Sequence, residues 1–218
     1  MMTFVPVLGN SSLIAVSTVN NLIFYKALPL QKVASFLHKQ ANVYDLAASP
    51  DGELTVLVGQ TIVIYRNNGF TPIIFPQVIE NARYCDFSLD GIYMVIASTK
   101  SLNVYTYQRS NDNYQFQQLT LNSTAPVAFG AITSVQFNPT NSSELIVGFL
   151  SSSPMAYSLV SEIFFKKMPD IQPSSSQNAK VARYFPDGLR YYSFDYLDGV
   201  GLWPGKKSVL NGVIEYRL

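Results

Sequence analysis

The chain aligns with itself, and no other feature restricts its fold as much. The segments LIAVSTVNNLIFYK, ELTVLVGQTIVIYR, IYMVIASTKSLNVYTY and, more loosely, LRYYSFDYLDGVGLWP each read as a strand, a short break and a second strand ending in an aromatic. Val, Ile and aromatic content marks the runs as strands, and Gly, Asn and Ser mark the breaks. Tyr25, Tyr65 and Tyr105 recur at intervals of about 40 residues, and Tyr157 and Trp203 follow after longer ones. A unit of this size cannot bury its own apolar faces, so it has to stack on its neighbours.

The segments preceding each pair repeat as well: VYDLAASPDG, RYCDFSLDG, SVQFNPTN and VARYFPDG. Each is a short strand running into a turn, at Asp51-Gly52, Asp90-Gly91, Thr140-Asn141 and Asp187-Gly188, where Gly and Asn accept the positive φ that the turn requires. After each aromatic comes a polar break and one more run: FTPIIFPQVI, NYQFQQLTL, EIFFKKM and GVIEYRL. Four strands per period predict an all-β chain folded as a β-propeller of about five four-stranded antiparallel blades. The blades fall at about 1–40, 41–80, 81–129, 130–178 and 179–218 of a single domain, 1–218. QRSNDN and MPDIQPSSSQN lengthen the third and fourth as solvated loops. Unpaired blade edges recruit foreign strands, so five units predict either a closed ring or one completed by a partner or a second copy. In the second case the edges near 4–8 and 213–216 are free for strand addition.

These residues resemble the WD-repeat family of β-propellers. FSLDG before YMVIAST and SLNVYTY, and YFPDG before a strand ending VGLWPG, follow the family's blade, with Trp203 at the motif tryptophan and Pro204 in place of the aspartate. The resemblance implies a propeller that serves as an interaction scaffold. The family's Gly-His and its turn aspartate are mostly missing: the one histidine is His38, and only Asp198 sits near the turn between the second and third strands.

Composition agrees with strands. The chain holds 14 Tyr and 14 Phe, and only 13% of its residues are charged, against about 25% in an average globular protein. A formal charge of +1 leaves no electrostatic footprint for nucleic acid. One cysteine, Cys85, makes no internal disulfide, the N-terminus MMTFVPVLGNSS does not read as a signal peptide, and no run approaches the ~18 apolar residues of a membrane span. The expected location is the cytoplasm or another intracellular compartment, where the sequons at Asn10, Asn122 and Asn141 are coincidental.

Catalytic chemistry has little to work with. One histidine does not build a triad, and Cys/His metal ligation lacks ligands, so no cofactor or metal is expected. A carboxylate pair of the glycosidase kind could be drawn from Asp45 and Asp86 on innermost strands. Relative to Gly52 and Gly91 they differ by two positions, which puts them on one face at different depths, and capping of main chain or water is the expected role. The strand-end aromatics are expected to wedge between sheets, and Cys85 to be a small core residue. His38 at a blade junction is expected at the surface.

Surface recognition remains. One rim gathers 38–42, 80–83, Lys100, 151–153 and 178–180, and His38, Asn42, Arg83, Lys100 and Lys180 are its candidate interaction residues. The sequence predicts a non-catalytic protein–protein interaction scaffold, a subunit of a larger intracellular assembly with protein partners. The first rival is a glycan- or small-ligand-binding propeller on a secreted or virion surface, and the second a carboxylate-dependent glycosidase.

Overall fold

The computed structural model describes residues 2–5, 13–38, 42–110, 113–121, 130–150, 152–161, 164–167, 181–195 and 199–204. Among them every regular element is a β-strand. The first sheet runs β1 (Met2–Val5), β2 (Leu13–Ser17), β3 (Asn21–Lys26) and β4 (Gln31–Leu37), each antiparallel to the next. The second repeats the order with β5 (Val43–Ala48), β6 (Leu54–Gly59), β7 (Ile62–Arg66) and β8 (Thr71–Ile73). The third group is β9 (Ala82–Phe87), β10 (Tyr93–Ser98), β11 (Leu102–Ser110) and β12 (Asn113–Leu121). The fourth is β13 (Ile132–Asn138), β14 (Asn141–Phe149), β15 (Ser152–Ser161) and β16 (Phe164–Lys167). β17 (Val181–Tyr184), β18 (Arg190–Asp195) and β19 (Gly199–Pro204) form a three-stranded antiparallel sheet. The fourth strand expected on GVIEYRL lies outside the described residues.

One feature of this topology corrects the expectation of separate, wholly antiparallel units. Thr120 and Leu121 of β12 pair in parallel with Phe164 and Phe165 of β16, so the third and fourth groups share one eight-stranded order, β13-β14-β15-β16-β12-β11-β10-β9. Both are outer strands, whose open N–H and C=O groups pair with any edge within reach. The chain, read from sequence as one domain, gathers into two compact units, Met1–Ser98 with Tyr105–Gln117 and Thr99–Val104 with Gln118–Leu218.

The four predicted turns are all present, and two share their wiring. Ser49 Oγ accepts the N–H of Leu54 and donates to Asp51 Oδ1, which also accepts from the Glu53 N–H. Ser88, Asp90, Ile92 and Tyr93 repeat these bonds. Gly52, Gly91 and Gly188 close their turns at φ of 70, 69 and 64°, the left-handed region that disfavours a side chain.

In the first unit the repeat explains the burial. All six residues of β6 are buried, where a strand with one face to water alternates. Leu54, Val56 and Val58 pack in one apolar cluster with Met94, Ile96 and Tyr105 of the third group. Leu57 packs in another with Ala15, Leu22 and Phe24 of the first sheet. The second sheet is thus covered on both faces. The strand-end tyrosines make the wedges that the sequence predicts. Tyr65 lies in the first-sheet cluster, its ring 5.6 Å from Phe36, and Tyr105 lies in the second-sheet cluster, 5.2 Å from Phe75. Each therefore enters the sheet that precedes its own. Tyr157 of the second unit is buried, while the side chain of Trp203 lies outside the described residues.

Candidate interaction surface

The first strand of each group has a partner on one side only, which leaves main-chain N–H groups on its other edge to be satisfied. β5 neighbours β1 and β9, and β13 neighbours β17. Side chains from one strand cap the next. Asp45 Oδ2 accepts the Cys85 N–H at 3.0 Å while its Oδ1 accepts the Leu46 N–H at 2.9 Å. In the second unit Ser134 Oγ accepts the Ala182 N–H at 2.8 Å, and Gln136 Oε1 the Tyr184 N–H at 2.7 Å. Asp45 and Ser134 occupy the same place before their turn residues Gly52 and Asn141, so this is one bond used twice on different chemistry. The capping role expected of Asp45 is what its two oxygens perform.

Cys85 is buried, with its thiol pushed up by burial and then by the carboxylates of Asp45 and Asp86. That is the behaviour of a core residue, since a reactive thiol needs the opposite shift.

The rim residues fare differently. Arg83 lies with its guanidinium carbon 4.3 Å from the Tyr44 ring centroid, an aromatic platform that the sequence reading missed. Its one sequence signal is that Tyr44 and Arg83 stand at equal distance from Gly52 and Gly91. Asn42 and Lys100 are exposed. The surface reading of His38 is corrected: it is only 7% exposed, its N–H donates to the Asn20 carbonyl, and its Nε2 stands 3.1 Å from the Thr18 carbonyl. The β2–β3 turn takes the ring as part of its own hydrogen bonding. Lys180 lies outside the described residues, as do the sequons at Asn10 and Asn122. Asn141 opens β14 as an exposed residue, with its Oδ1 accepting from the Ser143 N–H.

The clearest presented surface follows β8. Residues 74–79 alternate strictly. Phe75 packs on the Tyr105 and Phe116 rings, Gln77 Oε1 accepts the Tyr105 hydroxyl at 2.7 Å, and Ile79 is buried. Ile74 and Val78 face outward at 91 and 92% exposure, with Pro76 exposed between them. An apolar strip is held out to water by anchors on its other side. Among the described residues, no group of His, Cys, Asp and Glu could hold a metal, and no helix is long and apolar enough to cross a membrane.

No family model matches the chain, and no curated protein matches it. Among solved structures, a functionally unknown protein from Desulfotomaculum acetoxidans DSM 771 is similar, with a TM-score of 0.69 at 13% identity. The match covers 98% of this chain and 69% of that one. At that identity the likeness is one of fold.

Proposed function

We propose that this chain is a propeller-type, WD-repeat-like scaffold that acts by protein–protein interaction as a subunit of a larger intracellular assembly, without catalysis or cofactor. The repeating wedge of Tyr65 and Tyr105 and the capped inner strands support a propeller-type stack. The observation that carries the interaction reading is the strip Ile74, Pro76 and Val78. Large apolar side chains pinned outward on a rigid framework mark a protein contact, because a partner buries them at little cost in ordering.

The test is a quantitative affinity capture from the source cells with the wild-type chain and with the double variant Ile74→Lys/Val78→Lys. Both positions are exposed, so the melting temperature should stay within about 2 °C. A discrete set of proteins is expected with the wild type and lost with the variant. Capture of the same set by both rejects the strip as the contact. No specific protein, together with saturable binding on a glycan array, favours the glycan-binding rival.

A further inference from the structure

We propose that the turn joining β7 to β8 is a site of spontaneous covalent modification, at which water converts Asn68 to aspartate and isoaspartate through a cyclic imide formed with the main-chain nitrogen of Gly69. The inference goes beyond the scaffold reading and does not depend on it.

Two adjacent asparagines differ in everything the reaction needs. Asn67 is buried, its Oδ1 accepts the Thr55 hydroxyl at 2.9 Å, and its Nδ2 donates to the Gly52 carbonyl at 2.8 Å. Its carboxamide is held at both ends. Asn68 is exposed, and so is Gly69. The β7–β8 ladder ends on the pair Arg66–Thr71, which leaves the Gly69 N–H outside it. A Cβ built on Gly69 would meet nothing within 4 Å, so this side of its backbone is open. Glycine also brings no side chain of its own against the attacking nitrogen, and its φ of 80° is one that other residues resist. Among the described residues the other exposed asparagines, Asn20, Asn42, Asn81 and Asn141, are each followed by a residue with a side chain. Asn141 Oδ1 is further engaged by the Ser143 N–H and hydroxyl. The chain's second Asn-Gly pair, Asn211-Gly212, lies outside the described residues.

The chemistry balances with water alone. The Gly69 nitrogen gives its proton to hydroxide and attacks Asn68 Cγ. The N–Cγ bond forms, the Cγ–Nδ2 bond breaks, and Nδ2 takes up a proton and leaves as ammonia. Water then opens the imide at one of its two carbonyls. Opening at Cγ restores the main chain as aspartate, whereas opening at the main-chain carbonyl routes the chain through the side chain and lengthens it by one carbon. Nothing is oxidised or reduced, and both products carry a carboxylate where a neutral amide stood.

The longer path matters because of Phe70. This residue holds φ at 52°, a conformation costly for a bulky side chain, and its ring packs 4.9 Å from Phe24 and 5.6 Å from Phe36 of the first sheet. An extra carbon two residues earlier draws the ring out of that contact. The isoaspartate product therefore melts below both the parent and the aspartate product.

The experiment incubates the full chain at mildly alkaline pH in water enriched in heavy oxygen and maps its peptides by mass spectrometry, with fragmentation that separates aspartate from isoaspartate. Asn68 should convert with uptake of the label, ahead of Asn67 and Asn141, at a rate within about tenfold of that in the urea-unfolded chain. Asn68→Gln, whose ring would have six members, should slow conversion at this position at least about tenfold, and Gly69→Ala should do so in the unfolded chain too, where backbone strain plays no part. The aged wild type should melt at least about 2 °C below the fresh protein, while aged Asn68→Gln and fresh Asn68→Asp, which has the carboxylate without the extra carbon, should hold the parent's melt. Asn68 still intact when Asn141 has reacted, or protected more than about tenfold by the fold, overturns the site. Isoaspartate at position 68 with an unchanged melt overturns the role given to Phe70.

Discussion

Two buried tyrosines of one strand make opposite predictions. Tyr105 donates its hydroxyl to Gln77, whereas the Tyr107 hydroxyl is buried and has no hydrogen-bond partner among the described residues. Burial of an unpaired hydroxyl costs about 1–3 kcal/mol, and a paired one returns about 1. Tyr105→Phe should therefore destabilise by about 1 kcal/mol, and Tyr107→Phe should be neutral or stabilise by a similar amount. Urea melts of both variants give the signs directly, and a loss at Tyr107 equal to that at Tyr105 would show that a water serves it. Both hydroxyls, with those of Tyr114 and Tyr184, are held above the ordinary tyrosine range chiefly by burial. A group that ionises more easily unfolded than folded contributes stability below its unfolded pKa, about 10 for tyrosine, and that contribution is lost as pH rises above it. The urea midpoint should accordingly hold between pH 8 and 9.5 and fall by pH 11, and Tyr107→Phe should flatten that fall. An unchanged midpoint at pH 11 would contradict the burial of these rings.

Among the elements, the turns between first and second strands were the most legible, because a Gly at positive φ closes three of them and leaves its signature in the sequence, while the turn at Thr140-Asn141 closes without the positive φ expected of its Asn. What the sequence concealed was the use made of them. Asn138 Nδ2 donates to the Gly188 carbonyl at 2.9 Å, tying the turn before β18 to the one after β13. A Cβ on Gly188 would overlap Thr140 Oγ1 and Asn138 Oδ1, whereas one on Gly91 would meet the Tyr107 hydroxyl at an ordinary 3.5 Å. Both glycines have positive φ, so Ala strains each backbone by about 1 kcal/mol. Gly188→Ala should cost at least about 2 kcal/mol more than Gly91→Ala, since it also breaks packing between turns. Equal losses in denaturant melts would mean that the two turns are independent. Periodicity located the strands and the wedges Tyr65 and Tyr105, because an apolar position every 40 residues needs no partner to be seen. It could not locate the caps, because Asp45 and Ser134 do one task with different chemistry, nor the fate of His38, which depends on a turn formed by Thr18 and Asn20. The parallel pairing of β12 with β16 had no local signal either, since any outer strand offers the same open edge.

For the whole molecule, the repeat and the two compact units suggest different unfolding. Stacked repeats lose structure as coupled neighbours, whereas units with separate cores lose it independently. The first unit is built around a sheet buried on both faces, and the second has its own apolar cluster of Ile146, Ala182, Tyr184 and Tyr191. Two unique residues report on them separately: Cys85 in the first and Trp203, the one tryptophan, in the second. The Cys85 thiol is buried and held well above its ordinary range by burial and by the carboxylates of Asp45 and Asp86. It should remain closed to a thiol reagent at pH 8 until the stack of β6 and β9 opens. Separate cores predict that Cys85 labelling and Trp203 emission follow different urea curves, with midpoints resolved beyond the width of either transition. Removing the wedge Tyr65 by Tyr65→Ala, at the usual cost of about 3–5 kcal/mol for a large core aromatic, should then move the labelling curve and leave the emission curve in place. Coincident curves that shift together in the variant would show instead that the sheets from first to last unfold as one stack.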